Sequence, residues 1–164
     1  MIESLLLPEP DEDSAPFYEY AAAGELRVQR CTACGARRMP PRPMCPRCRS
    51  FEAQWELLSG RGNVWSVAVP HPPLLPAYSA LAPFNVIVVE TVEDRSIRFC
   101  GNLLDTADGP IDEIDPASIR IGEAVRVVFP APREDDHGSI VLPQWVRDEH
   151  AAGEPGAAIT GTAP

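Results

Sequence analysis

The sequence contains two Cys-x-x-Cys pairs, Cys31-Thr32-Ala33-Cys34 and Cys45-Pro46-Arg47-Cys48, which are separated by ten residues. This spacing is typical of a four-thiolate zinc site, because each pair forms a tight turn that directs both of its sulfurs inward. Gly35 follows the first pair, where the backbone tends to need a positive φ. Arg49 occupies the matching place after the second pair, so we expect a strained or a different turn there. The pattern predicts a four-cysteine zinc ribbon over residues 26–50.

A disulfide pair and a redox motif are the two other roles that such cysteines can have. Disulfides need an oxidising compartment, and the acidic stretch Met1–Leu7 has too short an apolar run for a signal peptide. A thioredoxin-type motif would lie beside a βαβ pattern, which this sequence lacks. Because all four ligands would be thiolates, no position stays open for a substrate, and we expect a structural Zn²⁺. The apolar run Phe84–Val89 cannot span a bilayer, so we expect a cytoplasmic protein without membrane contact.

The charge of the chain is unevenly distributed. The 164 residues are enough for one modest domain and a small appendage, and their net charge of −10 argues against general nucleic-acid binding. Residues 26–50 nevertheless contain no acidic residue and half of the 14 basic residues, all of which are arginine. These arginines either balance the zinc–thiolate centre or form a patch that faces an anion or a partner. They are Arg27, Arg30, Arg37, Arg38, Arg42, Arg47 and Arg49.

The residues before the ribbon predict a short helix. Ser14 can cap it, Pro16 fits its first turn and Gly24 ends it. A helix this short is marginal alone, so its aromatic residues, Phe17 and Tyr18, must pack on the body of this chain or on another protein. We therefore divide the chain into a flexible leader with a short helix (1–25), a zinc ribbon (26–50), a barrel (51–147) and a disordered tail (148–164).

After the second cysteine pair the pattern becomes β, and the fold class is mainly β. Five or six short strands, the first beginning at Trp55, with a helical turn capped by Asp115, fit a small OB-fold barrel better than a sandwich. The proline-rich loop over residues 70–83 is more apolar than a solvated loop should be. Cys100, the fifth cysteine, is expected to be a buried small hydrophobic residue rather than a nucleophile.

This order of segments resembles the zinc-ribbon/OB-fold proteins associated with acyl-CoA enzymes, a family long catalogued as a domain of unknown function. The resemblance covers about residues 16–147 and includes a rubredoxin-like ribbon. Tyr18, where the family often has Trp, and Arg49, where it often has Gly, depart from the pattern without removing a zinc ligand. The matching motifs are Pro16-Phe17-Tyr18, Arg30-Cys31-x-x-Cys34-Gly35, Pro40-Pro41-Arg42-Pro43-x-Cys45-Pro46-x-Cys48, Gly60-Arg61-Gly62-x-Val64 and Ile119-Arg120-Ile121-Gly122-x-x-Val125-x-Val127.

The resemblance implies a non-catalytic accessory subunit of a thiolase-superfamily enzyme that acts on acyl-CoA thioesters. The implied partner is a lipid-transfer-type thiolase in a 2:2 heterotetramer, or a MaoC-like hydratase. The implied reaction is the retro-aldol cleavage of a β-hydroxyacyl-CoA in steroid side-chain degradation. Acyl-CoA would then be a ligand of the complex. The histidines of the sequence agree with a non-catalytic role. His71, His137 and His150 lie in no nucleophile–base arrangement that their spacing would support.

Two sets of residues are candidates for contact with a partner or with CoA. The helix aromatics and the loop 70–83 are expected to bury against the partner, and the ribbon arginines are expected to face the anionic end of CoA or an acidic surface. A single-stranded nucleic-acid module is the alternative, since zinc ribbons and OB barrels both bind single strands. The candidate contacts are Phe17, Tyr18, Arg37, Arg38, Arg42, His71, Leu74, Leu75 and Tyr78.

Overall fold

The structure of the chain, a computed structural model, describes residues 6–135 and 138–149. It is mainly β, as the sequence predicts, with one two-turn helix ahead of the strands. In chain order the elements are α1 (Ala15–Ala22), β1 (Arg27–Cys31), β2 (Arg37–Arg38), β3 (Ala53–Leu57), β4 (Arg61–Ala68), α2 (Pro76–Ser79), β5 (Val86–Thr91), β6 (Arg98–Gly101), a 3₁₀ turn (Pro116–Ser118), β7 (Ala124–Val128), β8 (Arg133–Asp135), β9 (Gly138–Ile140) and β10 (Gln144–Arg147).

The ribbon contains a three-stranded antiparallel sheet in the order β2-β1-β3. The register aligns Gln29 on β1 with Arg38 on β2 and with Trp55 on β3. The sequence places the strand at Trp55 at the start of the barrel, whereas in the structure it completes the sheet of the ribbon. Alternation of apolar residues shows that a strand exists, but it does not show which sheet the strand joins.

The barrel is a five-stranded antiparallel sheet in the order β10-β7-β4-β5-β6. An isolated parallel bridge between Leu103 and Trp145 connects its two edges just beyond β6. The register of β4 and β5 shifts between Val64 and Ser66, so Trp65 lies in a β-bulge. A bulge strengthens the local twist of a strand, which helps a short sheet to curl into a barrel. This arrangement agrees with the predicted OB fold.

One hydrophobic core connects the helix, the ribbon and the barrel. Phe17 on α1 stacks on Phe99 of β6 with ring centroids 6.1 Å apart, and Phe99 lies 6.3 Å from Trp145. Leu26 and Val28, at the start of the ribbon, belong to the same buried cluster. The sequence leaves open whether α1 packs on its own chain or on another protein. In the structure it packs on the body of its own chain.

The helix begins and ends where the sequence predicts, but its first turn is not capped as expected. Ser14 makes no side-chain hydrogen bond to the first turn of α1. Its Oγ instead accepts from the backbone N–H of Asp11, and the Asp11 carboxylate accepts from the N–H of Ser14. Gly24 has a φ of 76°, which only glycine adopts readily, and this residue ends the helix.

The last described residues continue the barrel instead of starting a tail. Asp148, which the sequence assigns to the disordered tail, donates its N–H to the carbonyl of Ala124 and accepts from Arg61 Nε at 3.1 Å. Residues 150–164 of the predicted tail, which include His150, and also His137 lie outside the described residues. Within the described ranges, none of the helices is long and apolar enough to cross a membrane.

Candidate functional site

The four ribbon cysteines converge on one point. Their Sγ atoms all lie within 4.8 Å of one another. Two of the sulfur pairs bridge the two knuckles, at 3.5 Å between Cys31 and Cys48 and at 3.7 Å between Cys34 and Cys45. Four sulfurs placed about 2.3 Å from a tetrahedral zinc would be about 3.8 Å apart, so this cluster has the dimensions of a zinc site.

The backbone of each knuckle adopts the same turn. The N–H of Gly35 donates to the carbonyl of Cys31, and the N–H of Arg49 donates to the carbonyl of Cys45, both at 2.9 Å. Both donors have a positive φ, 73° at Gly35 and 64° at Arg49. The expected strain at Arg49 is thus present, because a side chain stands where the turn favours glycine.

At two of the four cysteines the knuckles favour the thiolate, which is the form that binds a metal. Backbone N–H groups of Cys48 and Arg47 lower the pKa of Cys45 to about 6. The backbone N–H of Cys34 is the main cause that lowers the pKa of Cys31. At Cys48 the backbone N–H of Ser50 acts in the same direction, but hydrogen bonds with the thiols of Cys34 and Cys31 outweigh it and raise the pKa to about 12. An all-thiolate, near-tetrahedral donor set of this kind fits Zn²⁺ and offers no fifth position to a substrate.

The structure reduces the basic patch that the sequence allows, because ion pairs occupy several of the ribbon arginines. Arg30 and Arg37 both pair with Glu56 on β3, and Arg37 also lies 3.9 Å from Asp94 of the barrel. Arg27 pairs with Glu25. Acidic residues from outside residues 26–50 therefore neutralise much of the positive charge that the segment carries, and this removes the main support for nucleic-acid binding.

Arg38 cannot contact a partner as predicted. Arg38 is only 5% exposed, and its Nε donates to Gln29 Oε1 at 2.6 Å across the β1–β2 pair. Arg37 is held by the ion pairs described above. Of the three arginines proposed to contact CoA, only Arg42 is exposed without an acidic partner among the described residues. The sequence could not show this difference, because it depends on which strand faces which.

Phe17 is also largely buried, since it is 7% exposed and packs on Phe99. Tyr18 is half-buried and meets Phe17 edge-on at 5.2 Å. Burial, followed by the nearby Asp11 carboxylate, raises the pKa of Tyr18. Tyr18 therefore remains a neutral phenol with one edge on the core and the other at the surface.

The loop 70–83 contains the short helix α2 and covers a second, smaller core. Leu74 and Tyr78 are half-buried against this core, and Tyr78 lies 6.1 Å from Phe84. Leu75 is 57% exposed, and His71 is also exposed. Only the last two are therefore positioned to contact another molecule without rearrangement.

A cleft of about 350 Å³ lies beside β6, and no motif in the sequence predicts it. Its walls come from α1, from the ribbon at Met39 and Pro40, from β6 and from the segment that leads into β10. Cys100 is part of the wall and is exposed, so the prediction that it is buried is wrong. Side chains alternate along this strand, so Cys100 lies on the outer face with Arg98, opposite to the buried Ile97 and Phe99.

The fold and the cysteine cluster together define a protein with a four-cysteine zinc ribbon followed by an OB-fold barrel. Two family models match it, described as the ChsH2 rubredoxin-like zinc ribbon domain (residues 19–53) and the ChsH2 C-terminal OB-fold domain (residues 55–130). The chain therefore belongs to the ChsH2 family of zinc-ribbon/OB-fold proteins, also called DUF35. This family is the one that the sequence motifs resemble.

Curated relatives differ in how much of their length the chain covers. A "DUF35 domain-containing scaffold protein" of Methanothermobacter thermautotrophicus is 31% identical over 71% of this chain and 80% of its own length. A "probable enoyl-CoA hydratase alpha subunit" of Thermomonospora curvata is 38% identical over 109 residues. The "3-oxo-4,17-pregnadiene-20-carboxyl-CoA hydratase alpha subunit" of Mycobacterium tuberculosis is 33% identical over 127 residues. The chain spans only 33% and 37% of these two longer proteins.

A solved structure resembles the whole described fold. One chain of an "Ltp2-ChsH2(DUF35) aldolase" superposes with a TM-score of 0.69 and 33% sequence identity. The match covers 86% of this chain and 98% of that chain. The similarity therefore extends across both the ribbon and the barrel.

Proposed function

We propose that this chain is a non-catalytic accessory subunit of a lipid-transfer-type thiolase that cleaves a β-hydroxyacyl-CoA by a retro-aldol reaction. One observation carries the proposal: the chain matches 98% of a chain in a solved aldolase complex at 33% identity. The name of the Mycobacterium tuberculosis relative refers to a steroid-derived CoA thioester. We therefore infer a substrate from steroid side-chain degradation, with acyl-CoA bound by the complex.

The chemistry of the metal centre supports an accessory role. A zinc ion held by four thiolates has no open coordination position, so it would act as a structural crosslink between the two knuckles. The partner would then supply the nucleophile or base. We propose a 2:2 assembly with the thiolase-type subunit in the cytoplasm.

The contact residues that remain from the sequence prediction are those with exposed side chains. Leu75 and His71 on the loop 70–83 and Arg42 on the ribbon stand at the surface. Exposed Leu75 would gain from burial against an apolar surface, and Arg42 can pair with a phosphate or a carboxylate. We infer that these three residues contribute more to the complex than Phe17, Arg37 or Arg38.

A hydratase complex is the second candidate, because both longer relatives are named hydratase alpha subunits. In that case the partner would be a MaoC-like hydratase. The two candidates differ in the partner enzyme and in the reaction, so one experiment can distinguish them.

The test is co-expression of this chain with a lipid-transfer-type thiolase and, separately, with a MaoC-like hydratase. We expect a stable complex with the thiolase, which cleaves a β-hydroxyacyl-CoA only when this chain is present. Leu75→Asp should weaken the complex by about tenfold, which is the effect of losing about 1.4 kcal/mol. Ile121→Asp is a matched control, because Ile121 is similarly exposed but lies away from the loop 70–83 in sequence.

Association with the hydratase alone would reassign the reaction to hydration. Association with neither enzyme would contradict the accessory role altogether. The zinc content of every variant should be measured, because loss of the metal would imitate loss of an interface.

A further inference from the structure

The outer edge of β6 presents backbone groups that the sheet leaves unused. At the end of the antiparallel pair formed by β5 and β6, the N–H of Thr91 donates to the carbonyl of Ile97 at 3.1 Å. Hydrogen-bonded and non-hydrogen-bonded residue pairs alternate along antiparallel strands. Phe99 and Gly101 therefore form backbone hydrogen bonds with β5. Arg98 and Cys100 lie opposite Glu90 and Val88 in the non-hydrogen-bonded pairs. The N–H and C=O groups of Arg98 and Cys100 therefore point away from the sheet.

Asn102, the next residue whose backbone groups point outward, shows how the hydrogen-bonding groups along this edge can find partners. Asn102 donates its N–H to Gln144 Oε1, and its carbonyl accepts from the N–H of Trp145 at 3.1 Å. Gln144 is preceded by Leu142 and Pro143, which line the same cleft, and Pro143 has no N–H to offer. Within the described residues, the outward groups of Arg98 and Cys100 thus have no backbone partner, and they face the cleft instead.

The cleft has a largely apolar wall. Phe17, Tyr18, Met39 and Pro40 line the side opposite β6. Trp145 also borders the cleft, but it is 0% exposed, so its indole Nε1 is not open to an occupant. The apolar lining favours an occupant that carries an apolar group.

The charge beside the edge further limits the occupant. The guanidinium of Arg98 lies 3.8 Å from the ring centroid of Trp65 and forms no ion pair with a described residue. A second copy of β6 would bring its own arginine close to this one, and like charges across paired strands are destabilising. An acidic side chain at that place would instead be favourable.

We propose that β6 accepts an extended segment of the partner enzyme subunit as an additional strand. Two N–H and two C=O groups repeat along this edge at two-residue spacing, about 6.8 Å, and an extended polypeptide matches that repeat. The segment pairs with Arg98 and Cys100, inserts one large apolar side chain into the cleft and places an acidic residue beside Arg98. The identity of the partner rests on the proposed function, whereas the strand addition does not.

Proline substitution on β6 tests the strand addition directly. Cys100→Pro removes an outward N–H that the barrel does not use, and edge strands tolerate proline at such positions. Cys100→Ser is the matched control, because it changes the same side chain but keeps the N–H. Arg98→Pro and Arg98→Ala form a second, independent pair in case the first proline disturbs the barrel. Zinc content and melting temperature establish that each variant is folded.

The first probe is a displayed library of twelve-residue peptides. Wild-type chain should select peptides that combine an acidic and a large apolar residue, and both proline variants should bind them at least about tenfold more weakly. Cys100→Ser should change the affinity by less than about twofold. Amide exchange at Cys100 should slow when a selected peptide binds. Selection of no peptide, or equal binding by the proline variants, would overturn the proposal.

The second probe is the lipid-transfer-type thiolase subunit, which separates this proposal from the proposed function. If the thiolase binds wild-type chain and both proline variants equally well, the accessory role stands and the strand addition is wrong. If the thiolase never binds, the proposed thiolase partner is wrong, and the peptide library alone decides the strand addition. A wild-type dimer that both prolines convert to monomer would assign the edge to a second copy and overturn the partner strand.

Discussion

Arg49 is the residue at which the local geometry and the side chain disagree most clearly. Its φ of 64° is held by the hydrogen bond to Cys45, and the equivalent place in the first knuckle is taken by Gly35. A side chain in this region costs about 1 kcal/mol. We expect Arg49→Gly to raise the free energy of unfolding by about that amount, or the melting temperature by about 2–4 °C.

Arg47→Gly is the control for this substitution. Arg47 lies in the same knuckle and is also exposed, but it has no positive φ. Glycine there should destabilise the ribbon slightly, because the unfolded chain gains freedom with no relief of strain. Equal effects of the two substitutions on thermal unfolding would show that strain at Arg49 is not the cause.

The second residue-scale prediction concerns the buried pair of Gln29 and Arg38. Gln29 Oε1 accepts from Arg38 Nε and from the backbone N–H of Arg42. Gln29→Leu removes the partner of a buried guanidinium, whose Nη1 already has none, and should cost about 2 kcal/mol. Adding Arg38→Met should restore most of that stability, since an apolar pair leaves no buried charge.

Urea unfolding of the two single variants and the double variant measures the coupling between these residues. Strict additivity of the two single effects would contradict the buried pair, because it would mean that Arg38 does not depend on Gln29.

At the scale of the elements, the Arg37–Glu56 ion pair joins β2 to β3. Arg37 donates to both carboxylate oxygens of Glu56 at 2.9 Å and also to the carbonyl of Glu93 in the barrel. This guanidinium holds the pKa of Glu56 below its usual value. We expect Glu56→Gln to cost about 1 kcal/mol at neutral pH, since both groups are partly exposed.

The sign of the pH dependence follows from the direction of that shift. A carboxylate with a lowered pKa in the folded state stabilises it at neutral pH, and the contribution is lost as the pH falls through that pKa. The advantage of wild-type chain over Glu56→Gln should therefore be constant from pH 8 to 6 and shrink in acid. Urea unfolding of both proteins across this pH range measures the difference, and a difference that stays constant into acid would contradict the ion pair.

The elements differ in how far the sequence determines them. Pro16 and Gly24 predict the limits of α1, and Asp115 caps the 3₁₀ turn as expected by accepting from the N–H of Ala117. These signals are local, so the sequence contains them. The sheet to which β3 belongs depends on which strands become neighbours, and residue patterns do not encode this directly.

The same distinction explains the candidate site. The spacing of the cysteines predicts the four-sulfur cluster, because both knuckles are local turns. The arginines look alike in sequence, but the register of β1 with β2 buries Arg38 on Gln29 and the approach of the barrel pairs Arg37 with acids. The cleft combines four separate segments, so no single motif could predict it.

For the molecule as a whole, the metal and the barrel should be thermodynamically coupled. Phe17, Leu26 and Val28 belong to the same buried cluster as the barrel residues Val64 and Phe99. Because the core is shared, a ribbon that unfolds would also expose part of the barrel core. Removal of zinc should therefore lower the melting temperature of the entire protein in a single transition.

Calorimetry of Cys45→Ser tests this coupling. Cys45 is buried in the cluster, and its replacement removes one of the four thiolates. We expect loss of zinc and a decrease in the single melting transition of more than about 10 °C, since structural zinc contributes several kcal/mol to folding. Cys100→Ser is the control, because Cys100 is exposed and lies outside the cluster, and it should leave both zinc content and melting unchanged. Two separate transitions in Cys45→Ser, with the second at the wild-type temperature, would instead show that the barrel is stable without the ribbon.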